Sequence, residues 1–88
     1  MFTGIIETLG AVTSIKRENA NVHFTITSTI GSELKIDQSV AHNGVCLTVV
    51  ALNAATHTVT AIEETLNKTS LGKLKVGSQV NLERCMQM

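Results

Sequence analysis

The stretch Ser39–Val50, SVAHNGVCLTVV, carries the clearest structural signal in the chain. At its centre Asn43-Gly44 is the strongest short-range mark of a hairpin, because both residues tolerate positive φ in a type I′ turn. After the turn the side chains alternate: Val45, Leu47 and Val49 fall on one face, Cys46, Thr48 and Val50 on the other. The first face is core. The second joins a thiol, a hydroxyl and an aliphatic group, a mixture that suits the wall of a pocket. The plainer reading is an edge strand with a buried cysteine and a solvated threonine.

Working outward, the N-terminal side alternates Ile5, Leu9, Ala11, Thr13 and Ile15 against Thr8, Gly10, Val12, Ser14 and Lys16. This predicts a long first strand, bent near Gly10. Met1 reads as a native start, and Phe2 to Ile6 leads directly into ordered structure. The polar turn 17–21 (RENAN) joins that strand to a second over 22–28, with Val22, Phe24 and Ile26 on its inner side. Segment 29–37 is a loop with Gly31 as breaker and one helical turn. Downstream of the hairpin, 45–52 runs into a loop over 53–57, and 58–62 returns as a strand. Over 63–68 the period changes, with acids at the start and Lys68 at the end, as in one or two turns of helix. A loop over 70–77 leads to a last strand over 79–84, with Val80 and Leu82 inward. Six short strands favour a closed antiparallel barrel over an open sheet with two edges. The fold class expected is all-β, a small Greek-key-like barrel with one short helix. Leu34-Lys35-Ile36 followed by Val40 matches Leu74-Lys75-Val76 followed by Val80, a weak sign of an internal repeat.

Eighty-eight residues make one domain, 1–88, with a single core. Seven basic and seven acidic residues are spread along the chain, and there are two Phe with no Trp or Tyr. No basic stripe or stacking platform therefore exists for nucleic acid. The apolar runs are too short for a membrane span, and no signal peptide precedes Phe2. Two cysteines, Cys46 and Cys85, fit a reduced cytoplasmic protein better than a disulfide scaffold. His23, His42 and His57 show no zinc spacing with the cysteines, and scattered histidines in strands are expected at the surface. No metal site, thiol-protease arrangement or phosphate loop is expected.

Three segments resemble the N-terminal domain of riboflavin synthases: the start MFTGI, the hairpin VAHNGVCLTV and the block ETLNKTSLGKLKVGSQVNLER. They lie in order at the beginning, middle and end of the chain. The resemblance implies an enzyme that dismutates two molecules of 6,7-dimethyl-8-ribityllumazine by moving a four-carbon unit. The products are riboflavin and a ribitylamino-pyrimidine, and no metal or separate cofactor is needed. It further implies two barrel domains per subunit, a homotrimer, and sites formed between an N-terminal domain and a neighbour's C-terminal domain.

Carried over by position, the ligand-binding residues implied are Gly4, Ile5 and Ile6; Cys46, Leu47 and Thr48; and Thr60, Ala61, Ile62, Glu63, Glu64 and Thr65. Ser39 is also tied to the site, and Ser39 and Cys46 are the candidate catalytic residues. Cys46 is the one nucleophilic side chain in that set, suited to assisting addition to the ring; the alternative is a polarizable wall that excludes water. Thr48, Thr65 and Glu64 offer hydrogen bonds to a pyrimidine edge or ribityl chain, with a solvated helix acid as the other reading of Glu64. Ala61 and Ile62 would supply aliphatic contact, or ordinary core.

The chain departs from the family in length, since a whole synthase continues into a second domain that brings further His and polar residues. As an 88-residue unit it is expected to bind riboflavin or lumazine, to form a homodimer, and to turn over little. Two other functions compete: a non-catalytic lumazine or flavin carrier, and a small barrel acting as an interaction module. Retention of Cys-Leu-Thr favours the enzyme over the carrier, because related fluorescent lumazine-binding proteins tend to lose it.

Overall fold

A computed structural model describes residues 5–85 of the chain. Six antiparallel strands form a closed barrel: β1 (Thr8–Glu18), β2 (Asn21–Thr27), β3 (Ser39–His42), β4 (Val45–Asn53), β5 (Thr56–Ile62) and β6 (Gln79–Arg84). One helix, α1 (Glu63–Lys68), follows β5, and short 3-10 turns span Gly31–Glu33 and Ser70–Lys73. Around the barrel the order is β1-β2-β5-β4-β3-β6. Closure removes both sheet edges, which is how so short a chain of strands avoids presenting unpaired backbone.

Alternation places the core as expected in most strands. Val22, Phe24 and Ile26 of β2, Leu47 and Val49 of β4, and Val80 and Leu82 of β6 all point inward and are buried. Asn43 and Gly44 both have positive φ, 51° and 84°, as the hairpin turn requires. Asn81 N–H donates to the Asn43 side-chain oxygen at 2.8 Å, which ties this turn to β6.

The first strand differs from its sequence reading. It begins at Thr8, and its inward residues are Gly10 and Val12 rather than Leu9, Ala11 and Thr13. A bulge between Val12 and Ser14 inserts one residue and reverses the alternation, so that Ile15 again packs on the core. A period-two count cannot stay in phase across an extra residue. The bend thus comes from the bulge near Thr13, and Ile5, Ile6 and Leu9 are exposed. The expected ordered start over Phe2 to Gly4 lies outside the described residues. The two hairpin loops are also shorter than expected. Glu18 pairs with Asn21, leaving the two-residue turn Asn19-Ala20, and Asn53 pairs with Thr56, leaving Ala54-Ala55. His57 therefore lies within β5.

A pseudo-two-fold axis organises the barrel. Exchanging β1 with β4, β2 with β5 and β3 with β6 maps the ring of strands onto itself. Both β1 and β4 carry a bulge, at Val12/Ser14 and at Val49/Ala51. Gly77 N–H donates to Val12 O at 2.8 Å and Asp37 N–H donates to Val49 O at 2.9 Å. Asp37 and Gly77 are both left-handed, and the N–H groups of Lys35 and Lys75 both donate to the side chain three residues on, Gln38 and Ser78. The faint LKI/LKV repeat is thus one turn built twice. Thr25 and Thr58 pair across β2 and β5 with hydroxyls 3.1 Å apart, on the axis itself.

The histidines depart most from expectation. His42 and His57 are fully buried inside the barrel, with ring nitrogens Nε2 2.9 Å apart. At the positions related by the pseudo-axis stand Leu82 and Phe24, so each ring takes a place that is apolar core at its counterpart. Burial pulls both pKa values down to about 4, and for His42 the neighbouring ring adds to the effect.

Candidate functional site

The ladder between β4 and β5 starts only at Val49↔Val59. Before that point Val45–Thr48 pairs with β3 alone, from His42↔Val45 to Ser39↔Thr48. On the other side Thr60, Ala61 and Ile62 pair with β2 alone. A seam therefore opens between Cys46–Thr48 and Thr60–Ile62, along which β4 and β5 do not pair with each other. Backbone N–H and C=O groups are obligatory hydrogen-bonding groups. Two such rows facing a slot suit the edge of a flat heterocycle, which carries its own donors and acceptors in one plane. Helix α1 starts directly from Ile62 and stands at the end of the slot.

The seam brings together two of the segments singled out in the sequence, and the side chains divide by face. Cys46 is an exposed free thiol, not a buried one, and Thr48 is exposed beside it. Leu47 and Ala61 point into the barrel and are buried, so only their backbone is turned to the slot. Ile62 is 52% exposed, an apolar lip rather than core. Thr60 presents a hydroxyl already engaged by His23 Nδ1 at 2.7 Å. Ser39 is half-buried opposite Thr48.

In α1 the three candidates go separate ways. Glu63 lines a groove of about 400 Å³ with Arg17 and Lys73. Glu64 accepts from Lys68 Nζ at 2.8 Å, a solvated pair one turn apart of the kind that adds little stability. Thr65 is half-buried, and its carbonyl accepts from the Thr69 hydroxyl at 2.7 Å. Ile6 lies over β3 and the hairpin turn, lining a cleft with Ala41 and Gly44. Gly4 lies outside the described residues.

Beyond Ser39 a larger cavity of about 600 Å³ opens at the junction of β3 and β6, with Lys35, Asp37, Arg84 and Cys85 in its wall. Arg84 organises this corner. Its Nε donates to Glu7 at 3.0 and 3.1 Å, its Nη2 makes a further contact with the same carboxylate, and its Nη1 reaches Glu33 at 3.3 Å. The guanidinium holds the Glu7 carboxyl below its usual range. The segment before β1 is so pinned to the end of β6. Arg84, Cys85 and His23 escaped the sequence reading because each is brought to the site by pairing between strands distant in the chain. Among the described residues no three His, Cys, Asp or Glu side chains are grouped to hold a metal ion.

Fold and seam together define a small closed antiparallel barrel whose β4–β5 ladder is open at one end. Residues 3–85 match the model of the lumazine-binding domain, and the chain belongs to that family. It is 44% identical to riboflavin synthase of Bacillus subtilis (strain 168) and 42% identical to that of Actinobacillus pleuropneumoniae, each over 98% of this chain and 40% of the relative. The chain thus spans about two fifths of the length of these curated relatives. Its fold is similar to that of LumP solved with 6,7-dimethyl-8-(1'-D-ribityl) lumazine, with TM-score 0.88 and 29% identity over 97% of this chain and 49% of LumP. LumP solved with riboflavin gives TM-score 0.87 over 96% of this chain and 46% of LumP.

Proposed function

We propose that this chain is the N-terminal, ligand-holding domain of a riboflavin synthase. The seam between β4 and β5 carries the reading: one slot gathers Cys46–Thr48 and the segment from Thr60 into α1, and leaves their main-chain edges open. The pteridine ring of 6,7-dimethyl-8-ribityllumazine, or the isoalloxazine of riboflavin, lies in that slot against Ile62. Thr48, Ser39 and Thr65 serve the polar edge and the ribityl chain, with Ile5 and Ile6 closing over the hairpin side. In the whole enzyme a second domain covers the slot and presents a second lumazine. The four-carbon unit passes between the two, giving riboflavin and the ribitylamino-pyrimidine without metal or separate organic cofactor. The isolated domain binds ligand, pairs with a second copy, and turns over little; the longer chain assembles as a trimer and works in the cytoplasm. A barrel this small leaves one face of a tricyclic ligand open, which is why a covering domain belongs to this reading.

The experiment is a titration of riboflavin into the 88-residue chain, followed by quenching of flavin fluorescence, with mass measured in solution. Saturation at one flavin per chain is expected, and absence of saturable binding would sink the proposal. Cys46→Ser, tested for binding here and for turnover in the longer enzyme, separates a nucleophile from a wall: loss of turnover with binding retained assigns chemistry to the thiol. The likeness to LumP favours a second reading, a carrier without turnover, which the same turnover assay in the longer chain distinguishes.

A further inference from the structure

Among the described residues, two buried side-chain polar atoms have no hydrogen-bond partner: Ser28 Oγ and His57 Nδ1. The register of β2 against β5 brings their residues to the same end of the barrel. Ile26 pairs with His57 across β2 and β5 and both face inward. Ser28 lies two residues beyond Ile26 on the same face, diagonal to His57, and its N–H donates to Ala55 O at 3.2 Å. The 3-10 turn Gly31–Glu33 covers this end of the barrel, with Gly31 so close to the turn that a Cβ there would lie 1.9 Å from Ala55 O.

The protons on the two rings follow from their partners. His42 Nδ1 is 2.9 Å from the Val40 carbonyl, which only accepts, so this nitrogen carries the hydrogen. In a neutral ring His42 Nε2 is then a bare acceptor. His57 Nε2, 2.9 Å away, must donate to it. That leaves His57 Nδ1 as a bare, buried acceptor. The only other orphan, the Ser28 hydroxyl, is a donor that does not reach it directly. Every Asp, Glu, Lys and Arg among the described residues is exposed or half-exposed, so no charge inside the barrel competes for these atoms.

We propose that the barrel holds one internal water between Ser28 Oγ and His57 Nδ1. It completes a single directed chain: Ser28 hydroxyl to water, water to His57 Nδ1, His57 Nε2–H to His42 Nε2, His42 Nδ1–H to Val40 O. The Ala55 carbonyl, with a lone pair left after accepting from Ser28 N–H, gives the water a third partner. The chain ties β2, β5 and β3 together through the interior, where the positions related to the two histidines, Leu82 and Phe24, rely on apolar contact. It fixes one tautomer on each ring, because reversing any link would point a lone pair at the Val40 carbonyl.

The test is nitrogen NMR of the two rings in the 88-residue chain at neutral pH. Long-range proton–nitrogen correlations are expected to show His42 protonated at Nδ1 and His57 at Nε2, with a long-lived water giving cross-peaks to His57 and Ser28. Ser28→Ala should move the His57 Nδ1 resonance toward that of an unbonded acceptor and lower Tm by about 4–8 °C, the scale of one net hydrogen bond in a domain of this size. Ser28→Thr should restore both. A His57 protonated at Nδ1, or a resonance unmoved by Ser28→Ala, overturns the proposal. A moved resonance without a water cross-peak overturns the water site and replaces it by a direct hydroxyl contact. If Ser28→Ala does not fold, the tautomers and the water cross-peaks of the unaltered chain decide.

Discussion

The two halves of the barrel, β1–β2–β3 and β4–β5–β6, share strand order, bulge positions and the turn that enters the last strand. They differ where function is proposed. Leu9, Gly10 and Ala11 correspond to Cys46, Leu47 and Thr48, and Thr27 corresponds to Thr60. In the first half the ladder runs on through Ala11↔Thr27, and the Thr8 and Thr29 hydroxyls meet at 3.1 Å. Gly10 permits this closure: a Cβ there would lie 2.6 Å from Ile26 and 2.9 Å from Leu82. In the second half the matching pair stays apart, and α1 is inserted beside it with no counterpart after β2. One scaffold built twice gives a shut seam and an open one, so a single ligand per domain is expected.

The largest effect expected concerns the interior, where His42 in the first half and His57 in the second stand at positions matched by the apolar Leu82 and Phe24. An unfolded histidine titrates near 6.5 and these two near 4, so the unfolded chain binds more protons between those values. The histidine contribution to stability should be level above pH 6.5, fall as pH drops toward 4, and level off below. At pH 5 the loss is on the order of several kcal/mol for the pair, measurable by urea unfolding at pH 7 and pH 5. His42→Leu combined with His57→Phe installs the residues found at the symmetry-related positions and should abolish that acid sensitivity. A double variant that keeps it would show that the sensitivity arises elsewhere.

A nearly equal effect is expected at the cap. Gly31 stands where the second half has Leu71, and a Cβ on it would lie 1.9 Å from the Ala55 carbonyl oxygen. Gly31→Ala should cost about 3 kcal/mol in denaturant unfolding, because backbone cannot yield as a side-chain end can. An equally stable variant would mean that this cap is looser than its counterpart.

Thr48→Ala should weaken riboflavin binding by about 5–10-fold, the worth of one net hydrogen bond, and leave stability unchanged, since Thr48 is exposed. Undiminished affinity would remove the hydroxyl from the seam's recognition. The smallest effect compares the hairpin turns. Asn19 and Ala54 both have positive φ, 56° and 54°, and only asparagine visits that region readily. Ala54→Asn should raise stability by about 0.5 kcal/mol in thermal unfolding; no gain would show that the turn accommodates alanine without strain.

Much of this was legible in the chain itself. The bounds of α1 and β6, the faces of β2 and β4, and the Asn43-Gly44 turn depend on contacts within a few residues, where period and turn chemistry speak directly. The segments of the seam were legible through family resemblance, but which of their atoms face it was not. Leu47 and Ala61 stand in the carried-over set and are core by side chain, whereas Cys46, read as buried on the plainer account, is exposed. Phase in β1 was lost at its bulge, an insertion that leaves no mark in composition. His57 read as loop because Ala54-Ala55 lacks the glycine or asparagine that usually announces a two-residue turn.

What the sequence determined alone is local: alternation, turn residues and a helix start, each fixed by backbone sterics over a few positions. Closure of the barrel, the pseudo-axis through Thr25 and Thr58, the buried histidine pair and the open seam were decided only by the tertiary structure. Each is a relation between strands far apart in the chain, set by register and by which hydrogen-bond ladders end early. Four matched residues gave a faint repeat, and pairing of whole strands turned it into symmetry. The proposed site lies where that symmetry breaks, because there the pairing of β4 with β5 stops one residue pair short of its counterpart.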